Sequence, residues 1–132
     1  MDQIELPVCE LADASSLDIA KYAVRVLDAR RGREIKLLHV EEHTSIADYF
    51  VLATGSSRTQ VNALADEVAY RLDLCGVPLL RREGGESGVW TLLDFGSVIV
   101  HVFSRDGREF YNLEKLFEAG TEVDIASLLT EN

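Results

Sequence analysis

Tyr49-Phe50-Val51-Leu52-Ala53-Thr54, trailed at once by Gly55-Ser56-Ser57, is the stretch from which the rest of the chain can be laid out. Six nearly continuous apolar residues are too few for a buried helix and suit a strand covered on both faces. The Gly-Ser-Ser break ends that strand, and Ser56 or Ser57 is an N-cap for a second helix. Val61, Leu64, Val68, Leu72 and Cys75 recur at helical spacing on one stripe, Gly76 stops the helix, and Pro78 marks the next turn. Upstream, Ser15 or Ser16 caps a first helix carrying Leu17, Ala20, Val24 and Leu27, with Gly32 as its stop. Ile35 to Val40 then reads as a strand, joined to the apolar run by the polar His43-Thr44-Ser45. Downstream, Leu79 to Glu83 is a short strand and Gly84, Gly85 and Gly88 form a turn. Val89 to Asp94 and Val98 to Phe103 make a hairpin about Phe95-Gly96-Ser97, and a final helix spans Arg108 to Phe117. Strands and helices in this mixed order predict an α/β (α+β) fold, a mixed sheet flanked by helices.

The chain has 132 residues, enough for one domain, and 47% of them are hydrophobic, enough for a sizeable core. No apolar run approaches the ~18 residues of a membrane span. Residues 1–10 lack the positive and apolar regions of a signal peptide. Cys9 and Cys75 are far apart, without CxxC spacing, and read as reduced thiols of a cytoplasmic protein. The first dozen residues and Thr121 to Asn132 lack core patterning and are expected to be lightly packed ends. The net charge of −10, from 23 acidic and 13 basic residues, is unsuited to a phosphate backbone, which asks for a basic footprint. Direct sequence-specific nucleic-acid binding is therefore not expected. A basic protein partner fits this charge, although solubility alone would also account for it.

Catalytic constellations are hard to assemble from this chain. His39, His43 and His101 are scattered, no HxH, HExxH or Cys/His cluster is present, and His101 sits inside an apolar strand. Cys75 lies on an apolar helix stripe, the place of a small buried hydrophobe. The Gly55-Ser56-Ser57 turn between strand and helix is where a phosphate could rest, as in nucleotidyltransferases, but such enzymes place paired carboxylates that hold magnesium close behind it. Here the next pair, Asp66-Glu67, lies about two turns into the helix, and adjacent helical residues point about 100° apart. Asp94 has no partner at DxD spacing. No enzyme, cofactor or metal is expected.

Val89 to Gly96 is more informative. In a strand Trp90, Leu92 and Asp94 share one face, Thr91, Leu93 and Phe95 the other. Helices can cover one of these sets, so the other leaves large apolar groups facing outward. Trp90 is then either a core residue or an interface anchor, and with Glu83 and Asp94 beside it the second option gives an apolar patch with an acidic rim, matched to a basic protein.

Ser45-Ile46-Ala47-Asp48-Tyr49-Phe50-Val51 with Ala53-Thr54-Gly55-Ser56-Ser57-Arg58 resembles the signature of the Iojap, or ribosomal silencing factor, family. The resemblance continues through Ala63 to Val68, Glu83-Gly84, Trp90, Leu93-Asp94-Phe95-Gly96, Val98 to Phe103 and Arg108 to Glu114, covering about residues 15–117. It implies a nucleotidyltransferase-like fold without known catalytic activity. It also implies a partner, the large ribosomal subunit through its ribosomal protein number fourteen, on the face that meets the small subunit. The factor then blocks subunit joining and lowers translation when nutrients are scarce. A homodimer in the free state is implied as well, and organellar relatives assist large-subunit assembly, the first alternative role; a nucleotidyltransferase-like enzyme using the Gly55-Ser56 turn is the second and less favoured one. The family's docking surface maps onto Glu83, Gly84, Trp90, Asp94, Phe95 and Gly96. Phe95 stands where the family often has tyrosine or leucine, so a hydroxyl is missing there. On this reading residues 1–14 are an N-terminal extension, 15–117 the domain, and 118–132 a C-terminal tail.

Overall fold

The apolar run at the centre of the sequence is the centre of the sheet. The structure is a computed structural model and describes residues 6–84, 88–112, 115 and 121–130. In chain order its elements are α1 (Ser16–Ala29), β1 (Arg33–His39), β2 (Tyr49–Gly55), α2 (Arg58–Leu74), β3 (Arg81–Gly84), β4 (Trp90–Asp94), β5 (Val98–Ser104), α3 (Arg105–Tyr111) and β6 (Thr121–Val123). The strands form one six-stranded sheet in the order β3-β4-β5-β2-β1-β6. β2 and β5 are parallel, with Tyr49 opposite Val98 and Gly55 opposite Ser104, and the other pairings are antiparallel. The sheet is mixed, as expected.

The caps explain where the helices begin. Ser15 Oγ accepts from the Asp18 N–H at 3.1 Å, and Ser57 Oγ from the Gln60 N–H at 3.0 Å, each satisfying a donor of a first turn. Gly55 lets α2 start this close to β2, since a Cβ there would stand 2.8 Å from the Val61 backbone. α1 and α2 cover one face of the sheet. Val24, Leu27, Val61, Leu64, Val68 and Leu72 pack there on Leu37, Val51, Ala53, Leu93, Val100 and Val102, all essentially inaccessible to water. The other face carries a smaller cluster, Leu38, Val40, Ala47, Phe50, Leu52, Ile99 and Phe103, with Trp90 and Leu92 half-buried against it. Among the helices of the described residues, α3 is the one that reaches this second face. Arg108, itself buried, anchors it by donating to Thr54 Oγ1 at 2.8 Å and to the Glu34 carbonyl at 2.7 Å.

Three expectations need correction. The last helix begins at Arg105, three residues before Arg108, because Ser104 takes the N-cap and its Oγ accepts from the Gly107 N–H. It ends where Asn112 turns left-handed; residues 113, 114, 116 and 117 of the expected span lie outside the described ones. The stretch from Thr121 is not lightly packed: β6 pairs with β1, and Ile125 is buried in the main core. A three-residue edge strand is too short to show a period, and its hydrogen bonds carry it. The N-terminal stretch is likewise tied down, with Leu11 buried and its N–H donating to the Cys75 carbonyl at 2.8 Å. Of the expected Gly84–Gly88 turn, residues 85–87 lie outside the described ones.

Candidate docking surface

β4 alternates as its sequence predicts. Thr91 and Leu93 are buried on the helix side, while Trp90, Leu92 and Asp94 are half-buried on the other. Antiparallel pairing sets Trp90 opposite Phe103, and Leu92 opposite His101. The indole packs against the Phe103 ring at 5.4 Å between centroids and tilts against the Tyr111 ring at 4.4 Å. Its Nε1–H donates to His101 Nδ1 at 3.1 Å. Because an indole N–H can only donate, His101 must accept through Nδ1 and carry its ring proton on Nε2. Burial pushes the His101 pKa down to about 3, so the imidazole is neutral at physiological pH. Its Nε2 is buried and has no hydrogen-bond partner among the described residues. Phe50 meets the same ring edge-on at 4.6 Å. Trp90 is therefore a residue of the lesser core with its inner edge fixed there and its outer part accessible.

α3 enlarges this surface. Phe110 is 80% exposed and stands perpendicular to Tyr111 at 5.0 Å; Tyr111 is 42% exposed. Phe110, Tyr111 and Trp90 thus form a partly solvated aromatic patch, where burial in a complex would bring a large apolar gain. Sequence reasoning missed Phe110, Tyr111 and the acceptor role of His101. The signal was present for the first two, since adjacent aromatics on a helix point about 100° apart and cannot both face one core.

The remaining expected residues fall in different surroundings. Glu83 is exposed on β3, and Gly84 beside it has φ +78°, with a Cβ there overlapping the Trp90 carbonyl oxygen, so only glycine allows β3 to lie this close to β4. Asp94 closes the hairpin turn by accepting the Gly96 N–H at 2.8 Å, and Gly96 takes φ +98°. Phe95 is corrected in one respect. Its ring is in the main core, 8% exposed, so it holds the turn from beneath and does not present a ring to a partner. The acidic rim also contains a cation: Arg81 lies 2.6 Å from Glu83 and 3.7 Å from Asp94, leaving a local charge of −1 where two carboxylates alone give −2.

The turn that could have served a nucleotide looks different. A cleft of about 560 Å³ lies beside it, lined in part by Arg33, Thr54, Gly55, Ser56 and Arg105, with Asp28 and Glu109 among the other walls. The Ser56 N–H already donates to Gln60 Oε1, and the Gln60 N–H to Ser57 Oγ, so side chains of the protein occupy two of the donors at this turn. Asp66 and Glu67 are committed separately, Asp66 to Arg82 at 2.7 Å, and Glu67 to Arg30 at 2.9 Å and Arg71 at 3.0 Å. Burial alone would raise the Glu67 pKa, but the two guanidiniums outweigh it and hold it below the ordinary value. Among the described residues no cluster of His, Cys, Asp or Glu could hold a metal ion.

Comparison with known proteins gives a consistent result. The family model described as "Ribosomal silencing factor during starvation" matches residues 13–132. A Bacillus subtilis protein named ribosomal silencing factor RsfS is 40% identical over 107 residues, 81% of this chain and 91% of its own length. A crystal structure of a Chromobacterium violaceum protein superposes with a TM-score of 0.77 at 37% identity, covering 85% of this chain and 92% of that one. A mouse protein named mitochondrial assembly of ribosomal large subunit protein 1 is 31% identical over 97 residues, 71% of this chain and 42% of its own.

Proposed function

Since the chain belongs to the family of ribosomal silencing factors, we propose that it docks on the large ribosomal subunit through ribosomal protein number fourteen and, from there, sterically blocks joining of the small subunit, repressing translation. The observation that carries the reading is the aromatic patch of Trp90, Tyr111 and Phe110 on the sheet face that α1 and α2 leave uncovered. A half-buried tryptophan with a fixed ring is the kind of anchor that dominates interface energetics, because little side-chain freedom is lost when it docks. Glu83 and Asp94 border it, the whole chain carries −10, and a basic ribosomal protein is the complementary partner. Glu83, Gly84, Asp94 and Gly96 shape the rim and turn, and Phe95 supports the turn from the core. The action is steric and requires no chemical step. In this reading the protein works in the cytoplasm, and the free protein is a homodimer.

The test is sedimentation of the purified protein with separated subunits on a sucrose gradient at physiological salt. Co-migration with the large subunit alone, and fewer joined ribosomes as protein is added, is the expected result. Protein that stays at the top of the gradient contradicts the proposal. A second reading, assembly of the large subunit, is favoured by the name of the mouse relative. It uses the same surface, and accumulation of immature large subunits on depletion would select it.

A further inference from the structure

The two cysteines, 66 positions apart in sequence, meet in the fold. The strap formed by residues 6–11 runs past the C-terminal end of α2, where Cys75 is the C-cap. The Cys9 N–H donates to Cys75 Sγ at 3.3 Å, and two residues on the Leu11 N–H donates to the Cys75 carbonyl at 2.8 Å. The strap is held from a second side by Tyr22, whose hydroxyl donates to the Pro7 carbonyl at 3.0 Å. One N–Cα bond of ~1.5 Å separates the Cys9 Cα from its nitrogen, so that Cα lies within about 5 Å of Cys75 Sγ. Cys9 Sγ rests against the Pro7 carbonyl at 3.9 Å, and pairing with Cys75 requires a turn about its Cα–Cβ bond. Cys9 is partly accessible, and Cys75 is buried at 1% exposure.

We propose that Cys9 and Cys75 are an oxidisable pair that closes to an intramolecular disulfide on exposure to a peroxide, fastening the N-terminal strap to α2. The accessible Cys9 thiolate attacks one peroxide oxygen: an S–O bond forms, the O–O bond breaks, and water leaves once protonated. The Cys75 thiolate then attacks the Cys9 sulfenic sulfur, the S–S bond forms, and the hydroxyl leaves as a second water. In sum two thiols are oxidised, one peroxide is reduced, and two waters are produced. The bond closes a long loop, and so it constrains the unfolded chain. It lies on the helix side of the sheet, opposite the aromatic patch, and does not depend on the docking proposal.

The test uses the full chain with hydrogen peroxide, then unfolding, thiol counting and intact-mass measurement. The thiol count is expected to fall from two to none, the mass by about 2 units for the two hydrogens lost, and a Cys9–Cys75 linked peptide to appear. Dithiothreitol reverses all three, and the oxidised chain melts at a higher temperature than the reduced one. In a Cys75→Ala variant Cys9 should stop at the sulfenic acid, trapped by dimedone; in Cys9→Ala, Cys75 should stay reduced in the folded protein. Two persistent thiols, a sulfinic Cys9 beside a reduced Cys75, a covalent dimer as the product, or a melting temperature lowered by the bond would each overturn the proposal.

Discussion

The two faces of the sheet are built from the same strands and are used in opposite ways. On the helix side the fully buried apolar contributions of β1, β2, β4 and β5 are aliphatic, Leu37, Val51, Ala53, Leu93, Val100 and Val102, with Tyr49 half-buried at their edge, and two helices close over them. On the other side the same strands present Leu38, Phe50, Leu52, Trp90, Leu92, His101 and Phe103, covered in part by the short helix α3. The first face is a core in the ordinary sense, stabilised by burial and close packing. The second is half a core, with polar rings among its apolar ones and aromatic side chains left at its edge. With docking proposed for the second face, the difference makes stability and docking separately alterable in a domain this small.

Four experiments bear on that contrast, in order of expected effect. Leu93→Ala on the closed face should cost about 3 kcal/mol of folding stability through the cavity left behind, read from denaturant unfolding, while the folded fraction keeps its affinity for the large subunit. An affinity loss that persists after correcting for the folded fraction would mean the faces are not separable. Trp90→Ala should do the converse, weakening docking by about 2 kcal/mol or more, roughly 30-fold; unchanged affinity in a well-folded variant removes Trp90 from the interface.

The third experiment concerns pH. His101 is neutral when folded, with its pKa at about 3, whereas the unfolded chain takes up that proton below the ordinary value of 6.5. The unfolded state then binds more protons, and stability should fall as pH drops below about 6.5, with a slope approaching ~1.4 kcal/mol per pH unit. The window to measure is pH 6.5 to 4.5, because below 4.5 Glu67, whose folded pKa is depressed, begins to lose its own contribution in the same direction. His101→Gln should flatten the slope in that window; an unaltered slope places the titrating group elsewhere. The smallest effect is expected at the rim. Glu83→Lys beside Arg81 should slow association by a few fold at low salt and much less at physiological salt, with little change in dissociation. An on-rate indifferent to ionic strength would remove the rim from the encounter.

Much of the architecture could be read from the chain because it rests on local signals. The strand of Tyr49 to Thr54, the caps at Ser15 and Ser57, the stripe from Val61 to Cys75 and the hairpin around Phe95-Gly96-Ser97 each depend on a few neighbouring residues. The alternation that sets Trp90 apart from Leu93 comes from the pleat alone. The membership of the family rests on the same motifs. Other features depend on residues that meet only after folding. β6 has three residues and exists because β1 offers it an edge. α3 begins at Arg105, where Ser104 supplies the cap after β5 ends, and Arg108 fixes it across the sheet to Thr54 and Glu34. Arg81 partly neutralises the rim because β3 pairs in the register that sets it opposite Asp94. His101 accepts from Trp90, and Cys9 meets Cys75, across sequence separations that no periodic pattern reports. The sequence by itself determined most of the elements, their two-sided burial and the family. The tertiary structure alone decided which aromatic groups stay half-exposed, which charges offset one another and which thiols touch, because those are contacts between distant segments, set by the packing of the whole chain.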